Sequence, residues 1–125
     1  MNANKNIEYE ALEKIFHEPN RLAIMSSVCG SAKGLTFNEL KSERGLTDGN
    51  LNRHLKVLEE AGAIRIEKRF VKSKPRTTVH LSKMGLNRFN EYLAALEGVL
   101  KKAQSALPAD RRATAPLRIG KTARA

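Results

Sequence analysis

Leu51, Leu55 and Leu58 recur at intervals of four and three residues, the spacing that lays apolar side chains along one face of a helix. With that face turned inward, Asn50, Asn52, Arg53 and Lys56 fall on the outer one, and Thr47, Asp48 and Gly49 stand at its N-terminal end. These side chains suit the major groove of a DNA duplex. An Asn amide can make two hydrogen bonds to adenine and an Arg guanidinium two to guanine. Lys56, farther along, is better placed for a phosphate, and the hydroxyls of Thr36 and Thr47 beside free helix N-terminal amides also suit phosphate oxygens. Asp48 fits less well, because its carboxylate repels phosphate; stabilising the helix start is its expected role. The competing reading is a polar face that is simply solvated. The elements around it argue against that.

Thr36-Phe37-Asn38-Glu39 has the form of a capping box, opening a short helix through Leu40 to about Arg44. Gly45 suits the left-handed turn that ends a helix. Thr47 can cap the next helix, which runs to Glu60 or Ala61 and stops at Gly62. Two helices joined across Gly45 to Thr47 form a helix-turn-helix. Upstream, Ile7, Ala11, Leu12, Ile15 and Phe16 predict a first helix from Ile7 to Glu18, ended by Pro19. Leu22, Met25, Val28 and Cys29 predict the inner stripe of a second, closing near Gly30 to Gly34.

Beyond Gly62 the pattern alternates. Ile64, Ile66, Lys68 and Phe70 interleave with Arg65, Glu67 and Arg69, which predicts a strand; Lys72 to Pro75 reads as a basic turn, and Thr77, Val79 and Leu81 as the returning strand. The cations of this hairpin, above all Arg69, Lys72, Lys74 and Arg76, are opposed only by Glu67. Such density at a turn suits phosphate or minor-groove contact. Ser82 then caps a long helix from about Lys83 to Ala106, with Leu86, Phe89, Leu93, Leu96 and Leu100 in heptad rhythm. That stripe can lie along a partner helix or pack on its own domain. From Leu107 onward no periodicity survives, and Arg111, Arg112, Arg118, Lys121 and Arg124 mark a basic tail expected to be mobile.

The run from Leu46 to Gly62 resembles the recognition-helix signature of MarR/ArsR-type winged-helix transcriptional regulators. Pro19 to Met25 resembles that family's second helix, and Lys68 to Val71 with Lys74 to Thr78 its wing. The resemblance spans roughly residues 8 to 100, and the basic tail lies outside it. It implies a mainly α fold with a small β-hairpin (α+β), a winged helix-turn-helix with a long C-terminal dimerisation helix. It also implies a homodimer with first and last helices at the interface. The residues facing the partner would then be Leu12, Ile15 and Phe16 with Leu86, Phe89, Leu93, Leu96 and Leu100. The expected layout is a flexible N-terminus over 1–6, a DNA-binding and dimerisation domain over 7–106, and the tail over 107–125.

Charge points to the same partner. Lys and Arg number 23 against 13 Asp and Glu, a formal net charge of +10, and a polyanion would account for the excess. At 41% hydrophobic and 29% charged, a packed core is expected; with no Trp and 5% aromatics it must be largely aliphatic. No stretch approaches the roughly 20 apolar residues of a membrane span, and Met1 to Asn6 lacks the apolar segment of a secretory signal. With a single cysteine, a cytoplasmic location is expected. His17, His54 and His80 are scattered, so neither an enzyme nor a metal site is expected, and no cofactor. His54 is expected to pack or hydrogen-bond beside Leu55. Cys29 could act as a redox switch, although its place on an apolar stripe favours a buried, inert thiol. A winged-helix module for RNA or a protein partner is the main alternative; no effector is named by the sequence.

Overall fold

The computed structural model describes residues 12–111. Helix α1 spans Pro19–Cys29, strand β1 Leu35–Thr36, helix α2 Phe37–Arg44 and helix α3 Asp48–Glu60; strands β2 (Ile64–Val71) and β3 (Lys74–Leu81) lead into helix α4 (Lys83–Ala106), and a 3-10 turn covers Ala109–Arg111. The strands form an antiparallel sheet in the order β1-β3-β2, with Leu35 opposite Val79 and Ile66 opposite Val79 on the other side. Four α-helices among the described residues, with a small sheet and a long last helix, make the winged-helix architecture expected from the sequence. The third strand was not expected. It is two residues long, too short for any periodicity to mark it.

Local chemistry sets the boundaries of the helix-turn-helix. Thr36 Oγ1 accepts from the Glu39 amide at 3.1 Å, and Glu39 Oε1 accepts from the Thr36 amide at 2.8 Å, completing the capping box. Gly45 ends α2 at φ 64°, a left-handed conformation that a residue with a Cβ adopts at a cost. Thr47 Oγ1 accepts from the Asn50 amide at 3.1 Å and starts α3. The core is then closed by Ile24, Met25 and Val28 of α1, Leu40 of α2, Leu51, Leu55 and Leu58 of α3, and Val79 of β3, all at most 2% exposed.

The first helix expected from Ile7 to Glu18 is corrected over its described part. Residues 12–18 form turns, and residues 7–11 lie outside the described segment. Helical spacing is overridden here by distant partners. Arg21 Nε donates to the Ile15 carbonyl at 2.7 Å, taking an acceptor that a helix would have used internally. Glu18 is extended (φ −150°, ψ 131°) and caps α1 instead, accepting from the Arg21 amide at 2.7 Å. Phe16 is driven into the core against Phe89 and Tyr92, at ring-centroid distances of 5.3 and 5.7 Å.

Burial also corrects part of the expected dimer surface. Phe16 and Phe89 are 0% and 2% exposed within this single chain, so they build its own core and are not free to meet a partner. Leu12, Ile15, Leu93 and Leu96 pack against that core while staying partly open. Leu100 is half-buried and Leu86 is 50% exposed, and both lie outside the core cluster. Of the tail, the described part includes the 3-10 turn, where no regular structure was expected. Arg112, Arg118, Lys121 and Arg124 lie outside the described residues, as do residues 1–6.

Candidate nucleic-acid interface

Helix α3 presents the two faces that its leucine spacing demands. Leu51, Leu55 and Leu58 are buried, while Thr47, Asp48, Gly49, Asn50, Asn52, Arg53 and Lys56 are exposed along one side and the N-terminal end. Arg53 Nη2 donates to Asn50 Oδ1 at 3.1 Å, so two candidate base-reading groups hold each other in place one turn apart. Asp48 stands in the first turn of α3 and pairs with Lys41 Nζ at 2.7 Å. The carboxylate thus faces a helix N-terminus and a neighbouring ammonium, the stabilising arrangement expected of it.

His54 lies on the inner side and is 4% exposed. Arg21 Nη1 is 3.0 Å from His54 Nδ1, and Glu18 Oε1 is 3.8 Å away. An arginine can only donate, so Nδ1 accepts and the proton sits on Nε2. Burial pushes the His54 pKa down, and the Arg21 and Arg53 charges add to that against the opposing pull of Glu18. The imidazole is therefore a neutral packing group, the role expected for it. Through this contact Arg21 ties the 12–18 segment to α3. Arg88 fastens the other end, donating to the Ala61 carbonyl at 2.6 Å just past α3 and pairing with Glu13. The sequence offered no signal for either arginine, because their partners are 33 and 27 residues away.

The hairpin stands beside this helix. Its register places Ile64 opposite Leu81, Ile66 opposite Val79, Lys68 opposite Thr77 and Phe70 opposite Pro75. Directly opposed residues share a face, so this face begins in the core and runs out to the tip. The other face carries Arg65, Glu67, Arg69 and Arg76. Arg69 stands opposite Arg76, a repulsive pair relieved by Glu67, which holds Arg69 Nη2 at 3.1 Å and His80 Nε2 at 2.9 Å. These two partners, His80 first, lower the Glu67 pKa. The wing cations treated as one cluster in the sequence are thus divided between two faces and the tip. Lys72 and Ser73 form the turn with φ of 53° and 66°, the handedness of a two-residue hairpin. Lys74 and Pro75 belong to β3, where a longer turn was expected.

Between helix and hairpin runs an open groove of about 850 Å³. Asn52 and Lys56 stand on its α3 wall, and Ile66, Lys68 and Thr77 on its hairpin wall. Glu59 and Glu60 close the end farthest from the α3 N-terminus and disfavour phosphate there. Lys68 was legible as a groove residue, since it shares the parity of Ile64 and Ile66. A second groove of about 600 Å³ joins Thr36 and Asn38 to Lys72, Lys74 and Arg76, so the capping hydroxyl and the wing cations border one space.

Elsewhere, Cys29 is exposed instead of buried on the α1 stripe, and partial burial of its thiol raises its pKa. That shift lowers the thiolate fraction on which thiol reactivity depends, while the exposure differs from the buried thiol expected. Among the described residues no group of three or more His, Cys, Asp and Glu converges to hold a metal, and no helix is long and apolar enough to cross a membrane.

A capped helix-turn-helix with its polar side open beside a basic hairpin defines a winged-helix DNA-binding protein. The match to known sequences agrees: residues 20–100 fit the family model described as a winged helix DNA-binding domain, and the chain belongs to that family. It is 36% identical over 80 residues to an uncharacterized protein of Methanocaldococcus jannaschii, covering 64% of this chain and 86% of that one. Among solved structures it is similar to a transcriptional regulator homologue from Pyrococcus horikoshii OT3, at 28% identity and a TM-score of 0.70 over 78% of this chain and 97% of that one. A MarR-family transcriptional regulator from Rhodococcus sp. RHA1 shares the fold, with a TM-score of 0.60 at 13% identity over 86% and 77% of the two chains. The chain is thus a winged-helix protein whose fold is shared with solved transcriptional regulators, members of the MarR and ArsR families among them.

Proposed function

We propose that this protein is a sequence-specific, double-stranded DNA-binding transcriptional regulator acting as a homodimer on a near-palindromic operator. One observation carries the reading: Asn52 and Lys56 on the outward side of α3 and the core-facing side of the hairpin line a single groove, with Asn50 and Arg53 exposed on the same helix outside it. Asn50, Asn52 and Arg53 read base edges in the major groove, and Lys56 meets a phosphate. Thr36, Thr47 and the wing residues Arg69, Lys72, Lys74 and Arg76 hold the backbone. Side chains cannot readily enter the deep, narrow major groove of A-form RNA, so a reading helix of this kind favours DNA. The homodimer reading is supported by Leu86 and Leu100, which α4 leaves outside the chain's own core. Two α3 helices about 34 Å apart would meet successive turns of one duplex face. The protein acts by binding, without a cofactor, and works in the cytoplasm, where its duplex partner is. No effector is assigned.

Selection of bound sequences from random duplex DNA tests the whole reading, with a near-palindrome expected. On the recovered site, Arg53→Ala should lose discrimination at one or two base pairs, about 1–3 kcal/mol for each. Lys74→Ala should weaken all sequences alike and reduce the salt slope by about one. If Arg53→Ala leaves the ratio of specific to random affinity unchanged, α3 does not read the bases through that residue.

A further inference from the structure

Phe70 is 75% exposed, the most open large hydrophobic among the described residues. It is not a scattered surface side chain. The ribbon register puts it on the same face as Ile66 and Lys68, which line the groove beside α3, and opposite Pro75. Beyond Lys68 and Thr77, therefore, the groove-facing side of the wing turns apolar, and it does so next to the Lys72-Ser73 turn. Cations flank this apolar tip: Arg69, Arg76 and Lys74 on the reverse face and Lys72 in the turn. A hydrophobic protein partner would not require that concentration of charge. A polyanion with an apolar interior does, and the duplex is one, with charged strands outside and stacked bases within. The proline ring opposite Phe70 fixes its own φ and stiffens the tip.

We propose that Phe70, backed by Pro75, is an apolar wedge that enters the minor groove and opens a base step, so that binding bends the DNA. This rests on the duplex-binding reading above and adds to it. The wing cations hold the two strands while the ring replaces part of the base stacking it disrupts. Kinks of this kind are easiest at flexible pyrimidine–purine steps. Such steps would therefore be selected in the operator at the wing positions, without any hydrogen bond to a base.

Ring closure of a duplex of about 120 bp that carries the selected binding site at its centre, shorter than the persistence length of about 150 bp, measures the bend. With full-length protein at concentrations where mobility shift shows the duplex fully bound, circle yield should rise by roughly tenfold over bare DNA. Phe70→Ala should bind with the same salt slope yet return the yield to the bare level, whereas Phe70→Leu, another apolar wedge, should keep most of the gain. Lys74→Ala should need more protein but reach the wild-type yield. Bound wild-type protein that leaves closure unchanged, or Phe70→Ala that closes circles as well as wild type, overturns the wedge and leaves duplex binding standing. Failure of the wild-type protein to shift the duplex at all overturns both.

Discussion

Gly85→Ala is expected to destabilise the fold by about 3 kcal/mol, the upper part of the range for overpacking a well-filled interior. Helix propensity alone gives the opposite sign, since Ala in a helix is favoured over Gly by about 1 kcal/mol. Tertiary contact decides it. A Cβ at Gly85 would lie 1.9 Å from the Ala63 carbonyl oxygen and 2.7 Å from its carbon. Those are backbone atoms, so no rotamer change relieves the clash. The same corner is bound tightly: the Ser82 amide donates to the Ala63 carbonyl at 3.2 Å, and Ser82 Oγ donates to the Gly62 carbonyl at 2.6 Å. Accommodating a methyl group means moving α4 off the end of α3, which strains the Arg88 bond to Ala61 as well. Small domains are stable by about 5–15 kcal/mol in total, so the loss should be plain in urea unfolding. Gly49→Ala is the control. It is helical with open space at the Cβ position, and should be neutral or gain up to about 1 kcal/mol. A Gly85→Ala midpoint at or above that of the parent protein would mean that α4 does not sit on Ala63 in solution.

Leu100→Asp is expected to turn the proposed homodimer into folded monomers and to weaken operator binding by about 10²- to 10⁴-fold. The size follows from losing the second half-site, which a linked partner offers at high effective concentration. Choice of residue matters. Phe89 is a core side chain and its replacement by a charge would unfold the chain. Leu93 and Leu96 belong partly to the core, so substitutions there mix stability with association. Leu100 is half-buried and outside the core cluster of the described residues, late in α4, so a carboxylate there disturbs the fold less than one at Leu93 or Leu96. Sedimentation gives the oligomeric state and circular dichroism the fold. Leu100→Asp protein that still sediments as a dimer and still binds with full affinity would move the interface off this part of α4.

Most of the helix-turn-helix could be read before any coordinates, for a physical reason. Its caps are local: Thr36 with Glu39, Thr47 with Asn50, and Gly45 at the end of α2 each work within a few residues. The inward leucines of α3 are equally local, and they fix by exclusion which side chains remain outside. The candidate reading face of Asn50, Asn52, Arg53 and Lys56 was visible at that level. The wing was visible as a hairpin, and the end of α4 as an amphipathic helix. Arg21 and Arg88, which hold α3 from two sides, were not visible at all.

The amino-acid order by itself determined where the helices begin and end, which side of α3 is apolar and where positive charge gathers, because each depends on neighbours a turn or two away. Only the tertiary structure decided that residues 12–18 abandon a helical pattern and that Phe16 and Phe89 fill this chain's own core. Those outcomes turn on contacts such as Arg21 with His54 and Arg88 with Glu13, 33 and 75 residues apart. Over such separations spacing along the chain carries no geometric information, and packing energy outweighs local preference.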